Sequence, residues 1–136
     1  MRSIITGVAG FIGSHLAEKL LELGHEVVGV DKFLDNYARD FKDSNLSQFV
    51  NHPSFKFIND DLVNIDLRQL LIQTDYVFHL AAQPGVRSSW GDEFSHYSHN
   101  NILATQVLLE ACKQVKVRKF VYASSSSVYG DTDDLP

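Results

Sequence analysis

The chain has 136 residues, 44% of them hydrophobic, and a net charge of −5, so a single folded domain with a substantial core is expected. The negative charge argues against nucleic acid or an anionic membrane as the main partner. A single cysteine, Cys112, excludes an internal disulfide, and no apolar run approaches the roughly 18 residues that a membrane span requires. With no signal-peptide pattern at the start, these features predict a cytoplasmic protein.

Strand-like and helix-like patterns alternate along the chain. Residues 3–5 form a short β-rich run, and apolar residues recur at helical spacing over 11–23, where Gly24 marks the helix end. Further strands are predicted at 26–31, 55–58, 76–80 and 120–123, further helices at 65–72 and 98–115, and long polar connections at 32–54 and 81–97. The alternation predicts an α/β fold, a doubly wound parallel sheet with strand order 3-2-1-4-5 and helices on both faces.

The stretch TGVAGFIGSH, residues 6–15, places Gly7, Gly10 and Gly13 between the first strand and the first helix. Such a turn lets the backbone approach a pyrophosphate, to which the helix N-terminus offers partial positive charge. Its first gap is one residue longer than in G-x-G-x-x-G. Asp31 ends the second strand, 18 residues after Gly13, where a carboxylate can accept hydrogen bonds from an adenosine ribose. The alternative is a turn that needs glycine only for close packing, but its flanking elements and Asp31 favour a cofactor site.

Five motifs, in this order, extend the pattern over essentially the whole chain: TGVAGFIGSHLAEKLL at 6–21, DDL at 60–62, HLAAQ at 79–83, NNILATQVLLEA at 100–111 and SSSSVYGD at 124–131. Together they resemble the extended short-chain dehydrogenase/reductase family, and within it most closely the nucleotide-sugar 4-epimerases that act on UDP-glucose or UDP-glucuronate. The resemblance implies a Rossmann-type domain with a tightly held NAD, which removes a hydride from sugar C4 and returns it to the opposite face. It also implies a nucleotide-sugar substrate, with a UDP-sugar expected, and a homodimer formed through the long helix.

The resemblance assigns the cofactor contacts residue by residue. Asp31 would bind the ribose and disfavour the 2′-phosphate of NADP, although Lys32 beside it could tolerate that phosphate. The pyrophosphate turn consists of Gly7, Gly10, Phe11, Ile12 and Gly13.

The contacts to the adenine and to the nicotinamide ribose are assigned in the same way. Asp61 would accept a hydrogen bond from the adenine amine while Leu62 packs beside it. On spacing alone, the alternative remains that Asp60 and Asp61 are simply a solvated pair in a loop. Asn101 would stabilise the loops around the cofactor. The segment under the nicotinamide ribose consists of Leu80, Ala81 and Ala82.

The serine run would carry the chemistry. Family members place a catalytic serine or threonine four residues before the tyrosine of VYG, which here is Ser125, counted back from Tyr129. Its hydroxyl would form a hydrogen bond with the sugar 4-hydroxyl and help to transfer the proton of that group to a tyrosine base. Ser126 would be its neighbour in the same hydrogen-bond network. The related 4,6-dehydratases carry an Asp-Glu pair where this chain has Ser126 and Ser127, and serines cannot replace that acid and base.

Several other residues have plainer interpretations. Arg87 lies where the family's substrate enters and could bind a uronate carboxylate or a phosphate, or simply be a surface arginine. His96 and His99 are expected to lie at a solvated helix start rather than to bind a metal. His79 and Cys112 are expected to be packing residues.

The family's Tyr-x-x-x-Lys pair and its substrate domain are expected beyond the last residue, so residues 1–136 are interpreted as the N-terminal part of an NAD-binding domain, inactive alone. The favoured function of the parent protein is a nucleotide-sugar 4-epimerase. A dehydratase or a decarboxylase of the same family remains an alternative, as does an NAD-binding module without catalysis.

Overall fold

The computed structural model of the chain describes residues 1–131. Their centre is a five-stranded parallel sheet in the order β3-β2-β1-β4-β5, which confirms the predicted topology. The strands are β1 (Arg2–Thr6), β2 (Glu26–Val30), β3 (Phe55–Ile58), β4 (Tyr76–His79) and β5 (Lys119–Tyr122).

The sheet is buried on both faces because its central strands are apolar at consecutive positions. In β1, Ile4 and Ile5 are both fully buried but belong to different cores, since successive side chains of a strand point to opposite faces. Ile4 pairs with Val28 of β2 and with Val77 of β4, so one apolar row crosses three strands. Burying an aliphatic side chain of this size contributes about 1.5–3 kcal/mol.

Helices cover the two faces. The helices are α1 (Phe11–Glu22), α2 (Arg39–Ser47), α3 (Leu67–Leu71), α4 (Phe94–Tyr97) and α5 (Ala104–Val115), and a π-helix (Ser98–Leu103) joins α4 to α5. Short 3₁₀ turns occupy Arg87–Ser89, Gly91–Glu93 and Ser126–Tyr129. Helices α1 and α2 pack on one face of the sheet, and α3 and α5 on the other. No helix within residues 1–131 is long and apolar enough to cross a membrane.

Three helical segments differ from the sequence prediction. The connection 32–54 contains α2, whose only buried side chains are Lys42 and Leu46, so it lacks the apolar periodicity of a core helix. The connection 81–97 contains α4. The helix predicted over 98–115 begins as the π-helix and becomes α-helical at Ala104.

The first helix ends as its glycine predicted. Gly24 has a φ of +78°, its amide donates to the carbonyl of Leu21, and the amide of His25 donates to that of Leu20. A left-handed residue that closes such paired bonds terminates a helix and is usually glycine. The chain thus returns directly from α1 into β2.

Candidate functional site

A cavity of about 380 Å³ opens at the carboxyl ends of β1, β2 and β4, next to the point between β1 and β4 where the strand order changes direction. In open α/β sheets this switch point is where ligands bind. Its lining includes almost all the residues predicted to contact the cofactor, namely Gly7, Gly10, Phe11, Ile12, Gly13, Asp31, Lys32, Asp61, Leu62, Leu80, Ala81 and Ala82. The structure therefore brings these sequence-distant residues together in a single pocket.

The glycine turn has no room for side chains. Gly7 has a φ of +73°, and a Cβ there would lie 2.8 Å from the amide nitrogen of Ala81. A Cβ at Gly13 would overlap the carbonyl oxygen of Gly7 and lie 2.9 Å from the Cα of Val8. Close packing thus requires both glycines, and the cofactor interpretation of the turn stays a prediction.

The start of α1 can receive an anion. Gly10 is its N-terminal capping residue and supplies no side-chain hydrogen bond, so no side chain occupies the cap. Phe11 and Ile12, in the first turn, have exposed side chains and line the cavity. Uncapped amides at a helix N-terminus, together with the helix dipole, favour a phosphate group there.

Asp31 connects the glycine turn to the loop after β2. Its Oδ2 accepts from the amide of Ala9 at 3.1 Å and its Oδ1 from the amide of Phe33 at 2.8 Å. The ammonium of Lys42 lies 3.7 Å from Oδ1, and the Lys42 side chain is only 5% exposed. This buried cation is balanced by the carboxylate, as a charge in such surroundings must be. A carboxylate has about four acceptor positions, so Asp31 retains capacity for a ribose hydroxyl.

Residues of the predicted polar connection 32–54 form hydrogen bonds with the glycine turn. Asn45 donates to the carbonyl of Ala9 at 2.9 Å, and the hydroxyl of Tyr37 donates to the same oxygen at 3.4 Å. Burial, assisted by the charge of Asp31, raises the pKa of Tyr37, which keeps its hydroxyl a donor. Sequence reasoning missed Asn45 and Lys42 because their helix, α2, lacks the apolar pattern that would reveal it, and it missed Tyr37 because this residue lies in the loop before α2.

Asp61 is the most heavily bonded carboxylate of the cavity. Its Oδ2 accepts from Lys32 Nζ at 2.5 Å and from His99 Nε2 at 2.9 Å, and its Oδ1 accepts from the amide of Val63 at 3.1 Å. Burial by itself would raise the pKa of Asp61, but the bonds from Lys32, His99 and Val63 outweigh it and lower the pKa below its usual value. Lys32, predicted beside the ribose, is thus bound to Asp61, and His99 is bonded rather than simply solvated.

The cavity floor rests on a chain of buried hydrogen bonds. The hydroxyl of Thr6 accepts from the amides of Leu80 and Ala81, both at 3.2 Å, and lies 2.6 Å from Nδ1 of His79. On its other side, Nε2 of His79 lies 2.9 Å from the hydroxyl of Thr105 in α5. His79 is therefore a satisfied core histidine, as predicted.

Asn101 lies beside the cavity and is not part of its described lining, which includes the neighbouring Asn100. Its side chain accepts from the amide of Gln83 at 2.7 Å and donates to the Gln83 carbonyl at 3.0 Å. Its own carbonyl accepts from Thr105 at 2.7 Å. These paired hydrogen bonds to Gln83, in the loop after β4, are compatible with the loop-stabilising role that the resemblance implies.

The predicted catalytic serines lie on the exposed segment after β5. Ser125 caps the 3₁₀ turn, its Oγ accepting from the amide of Ser127 at 3.2 Å. Ser125, Ser126 and Arg87 are outside the described cavity lining, to which Ala123 of the same segment contributes. Arg87 lies in an exposed 3₁₀ turn. Within residues 1–131 no group of three or more His, Cys, Asp or Glu side chains is placed to hold a metal ion.

Comparison with known proteins identifies the family. A family model described as GDP-mannose 4,6 dehydratase matches residues 4–136. The chain belongs to this family. The resemblance to extended short-chain dehydrogenases/reductases is thereby confirmed, and the relatives named below as epimerases and dehydratases make it a family of enzymes.

Two curated relatives illustrate the similarity. YtcB of Bacillus subtilis (strain 168), described as an uncharacterized UDP-glucose epimerase, is 48% identical over 132 residues, which are 96% of this chain and 42% of the relative. The UDP-glucuronate 4-epimerase of Thermodesulfobacterium geofontis (strain OPF15) is 40% identical over 129 residues, 93% of this chain and 40% of the relative. The chain thus spans well under half the length of these relatives.

Solved structures agree with the fold. The UDP-glucuronic acid 4-epimerase of Bacillus cereus, in complex with UDP-glucuronic acid and NAD, is 47% identical with a TM-score of 0.91, covering 98% of this chain and 43% of that one. DesIV of Streptomyces venezuelae, a dTDP-glucose 4,6-dehydratase with NAD bound, is 30% identical with a TM-score of 0.82, covering 98% of this chain and 42% of that one.

Proposed function

We propose that the cavity binds NAD and that the chain supplies the cofactor-binding part of a UDP-sugar 4-epimerase. The observation that carries the proposal is the meeting of the glycine turn, Asp31 and Asp61 in one pocket, in a fold closely similar to an epimerase solved with NAD and UDP-glucuronic acid. The homodimer expected through the exposed side of α5 belongs to the same proposal.

The residues present fit an adenine dinucleotide. The side-chain-free turn and uncapped start of α1 suit a pyrophosphate. Asp31 would accept from the ribose hydroxyls, and its charge disfavours a 2′-phosphate. Lys32 could have offset that repulsion, but its ammonium forms a salt bridge with Asp61 instead. Asp61 and Leu62 would receive the adenine, and the floor at Leu80 and Ala81 the nicotinamide ribose. NAD is therefore favoured over NADP.

When bound, NAD would accept a hydride from sugar C4 and return it to the opposite face of the ring. Ser125 would hold the sugar 4-hydroxyl and direct its proton toward a tyrosine base. That tyrosine belongs to the family's Tyr-x-x-x-Lys pair, a pattern that does not occur in the 136 residues. Arg87 would bind the carboxylate of a uronate or a phosphate of the nucleotide.

Dehydration is the second candidate, because relatives of the same fold carry it out. Expelling water from the sugar requires an acid and a base next to the catalytic hydroxyl residue. Ser126 and Ser127 stand at those positions, and neither ionises near neutral pH. The chemistry of these side chains favours epimerisation.

Calorimetry with NAD and NADP tests the cofactor site. The chain should bind NAD more tightly than NADP, and Asp31→Ala should weaken NAD binding by about 1–3 kcal/mol, the scale of hydrogen bonds to a charged acceptor. Asp35→Ala is the matched control, because this exposed acid lies outside the described cavity lining. Unchanged affinity in Asp31→Ala, with a normal melting curve, would contradict the ribose assignment.

Kinetics of a longer protein that contains Tyr-x-x-x-Lys test the serine assignment. Ser125→Ala should lower kcat by about 10²–10⁴, the range for a positioned proton-transfer group, and leave the bound NAD content intact. Ser126→Ala serves as the comparison. If Ser126→Ala is the damaging change and Ser125→Ala is silent, the catalytic hydroxyl is one position further along the chain.

A further inference from the structure

The Asp61 carboxylate joins three separate segments at the cavity. Lys32 comes from the loop after β2, Asp61 from the loop after β3, and His99 from the π-helix that precedes α5. The side chains of Asp61, Lys32 and His99 are 18%, 27% and 39% exposed. Because the contacts are partly shielded from water, they hold their geometry better than an ion pair on the open surface.

The donors fix both oxygens of this carboxylate. An ionised carboxylate only accepts hydrogen bonds, so Nε2 of His99 must carry a proton where it meets Asp61. Lys32 and His99 both bond Oδ2 while the amide of Val63 bonds Oδ1, so rotation of the group would break bonds to all three. Oδ1 keeps an acceptor position for a further donor.

His99 acts on the cavity only through Asp61. The described lining of the cavity includes Asp61, Lys32 and the neighbouring Asn100, but not His99. A substitution at His99 would therefore remove one of the three bonds that orient the carboxylate without removing a lining group.

We propose that His99 is a positioning residue for base recognition, which holds the Asp61 carboxylate in the orientation that receives the exocyclic amine of adenine. The inference rests on the proposed NAD site. It implies selection against a purine with a carbonyl at that position, because a carbonyl and a fixed carboxylate are both acceptors and would be left unpaired. A carboxylate held by fewer bonds selects less, since it can move away from the carbonyl.

Calorimetry with NAD and nicotinamide hypoxanthine dinucleotide, which differ in this amine, tests the proposal. The unmodified chain should prefer NAD by about tenfold or more, the scale of a hydrogen bond to a charged group. His99→Leu and His99→Ala should reduce the preference to about twofold, mainly by weakening NAD binding, whereas His99→Gln, which retains a donor, should restore most of it. His96→Leu is the matched control, because this exposed histidine of α4 pairs only loosely with Glu93, at 3.8 Å.

The outcomes separate this inference from the proposed function. If His99→Leu and His99→Ala weaken both dinucleotides by the same factor, His99 is only structural and the inference is overturned while the NAD site stands. If the unmodified chain binds both equally, the recognition of adenine by Asp61 is overturned and NAD binding still stands. If it binds neither, the proposed function itself fails and the inference fails with it.

Discussion

The hydrogen-bond partners of the buried His79 determine which of its ring nitrogens carries the proton. The hydroxyl of Thr6 already accepts from the amides of Leu80 and Ala81, so its own proton is directed to Nδ1 of His79. Nε2 of the neutral ring then carries the proton and donates to Thr105. The ring thus connects the strand end beneath the cavity to α5. Burial lowers the pKa of His79 to about 4, so the ring is neutral at physiological pH.

This pKa predicts a pH dependence of stability. Below the ordinary histidine pKa of 6.5 the unfolded chain binds a proton at His79, whereas the folded chain does so only near 4. The free energy of unfolding should therefore fall as the pH drops from about 6.5 toward 4, by up to about 3 kcal/mol from this residue. Urea unfolding at pH 7 and pH 4.5 should show a smaller decrease in His79→Gln. The exposed control His96→Gln should keep the full decrease, and an equal decrease in both variants would contradict the assignment.

The residues of the candidate site divide by the kind of signal that they leave in the sequence. Gly7, Gly13 and Asp31 follow predicted strands at motif spacing, so their meeting at the cavity was predictable. Lys42 was not found and His99 was interpreted as solvated, because a side chain that pairs with a carboxylate distant in the sequence leaves no periodic or motif signal along the chain. Such partners become visible only once the strand order brings the segments together.

At the scale of elements, prediction succeeded where burial is periodic. Both faces of the sheet are covered, so its strands are apolar runs with clear ends, and all five were located to within one or two residues. Helix α2 was missed because it presents few apolar residues to the core. The π-helix was also missed, because a local widening of the helix leaves the same apolar pattern as a continuous α-helix.

Helix α5 offers a direct test of which face packs on the sheet. Leu108 is fully buried, while its neighbour Leu109 is 46% exposed. Leu108→Ala should lower the free energy of unfolding by about 2–5 kcal/mol, as expected for a buried leucine, and Leu109→Ala by about 0.5 kcal/mol or less. Urea unfolding measures both variants. Similar losses for the two would mean that α5 is rotated relative to this packing.

Cys112 lies one turn beyond Leu108 and reports on the same packing. Burial raises the pKa of its thiol to about 11, so the folded chain holds little thiolate at pH 8. Labelling by a disulfide reagent at pH 8 should be slow in the native chain and in Leu109→Ala, and faster in Leu108→Ala, which opens more often.

At the scale of the whole molecule, the cavity depends on the segments that follow all five strands, and β3 and β5 form the two edges of the sheet within the described residues. Tyr122 on the edge strand β5 is 51% exposed, and Ile102 of the π-helix is 62% exposed. Open strand edges and exposed apolar side chains promote self-association. Oligomers of this chain in solution therefore need not reproduce the homodimer proposed for the longer protein.

The chain as a whole is expected to bind NAD without epimerising a sugar. The glycine turn, Asp31 and Asp61 would retain the adenosine half of the cofactor, so binding is expected but weak. Catalysis should fail because the 136 residues contain no Tyr-x-x-x-Lys pattern to supply the acid/base group. Incubation with NAD and UDP-glucose or UDP-glucuronate, followed by NMR of the 4-epimer, measures this directly. The Bacillus cereus UDP-glucuronic acid 4-epimerase serves as the active control. Turnover above the protein-free background would show that residues other than this pair perform the acid/base step.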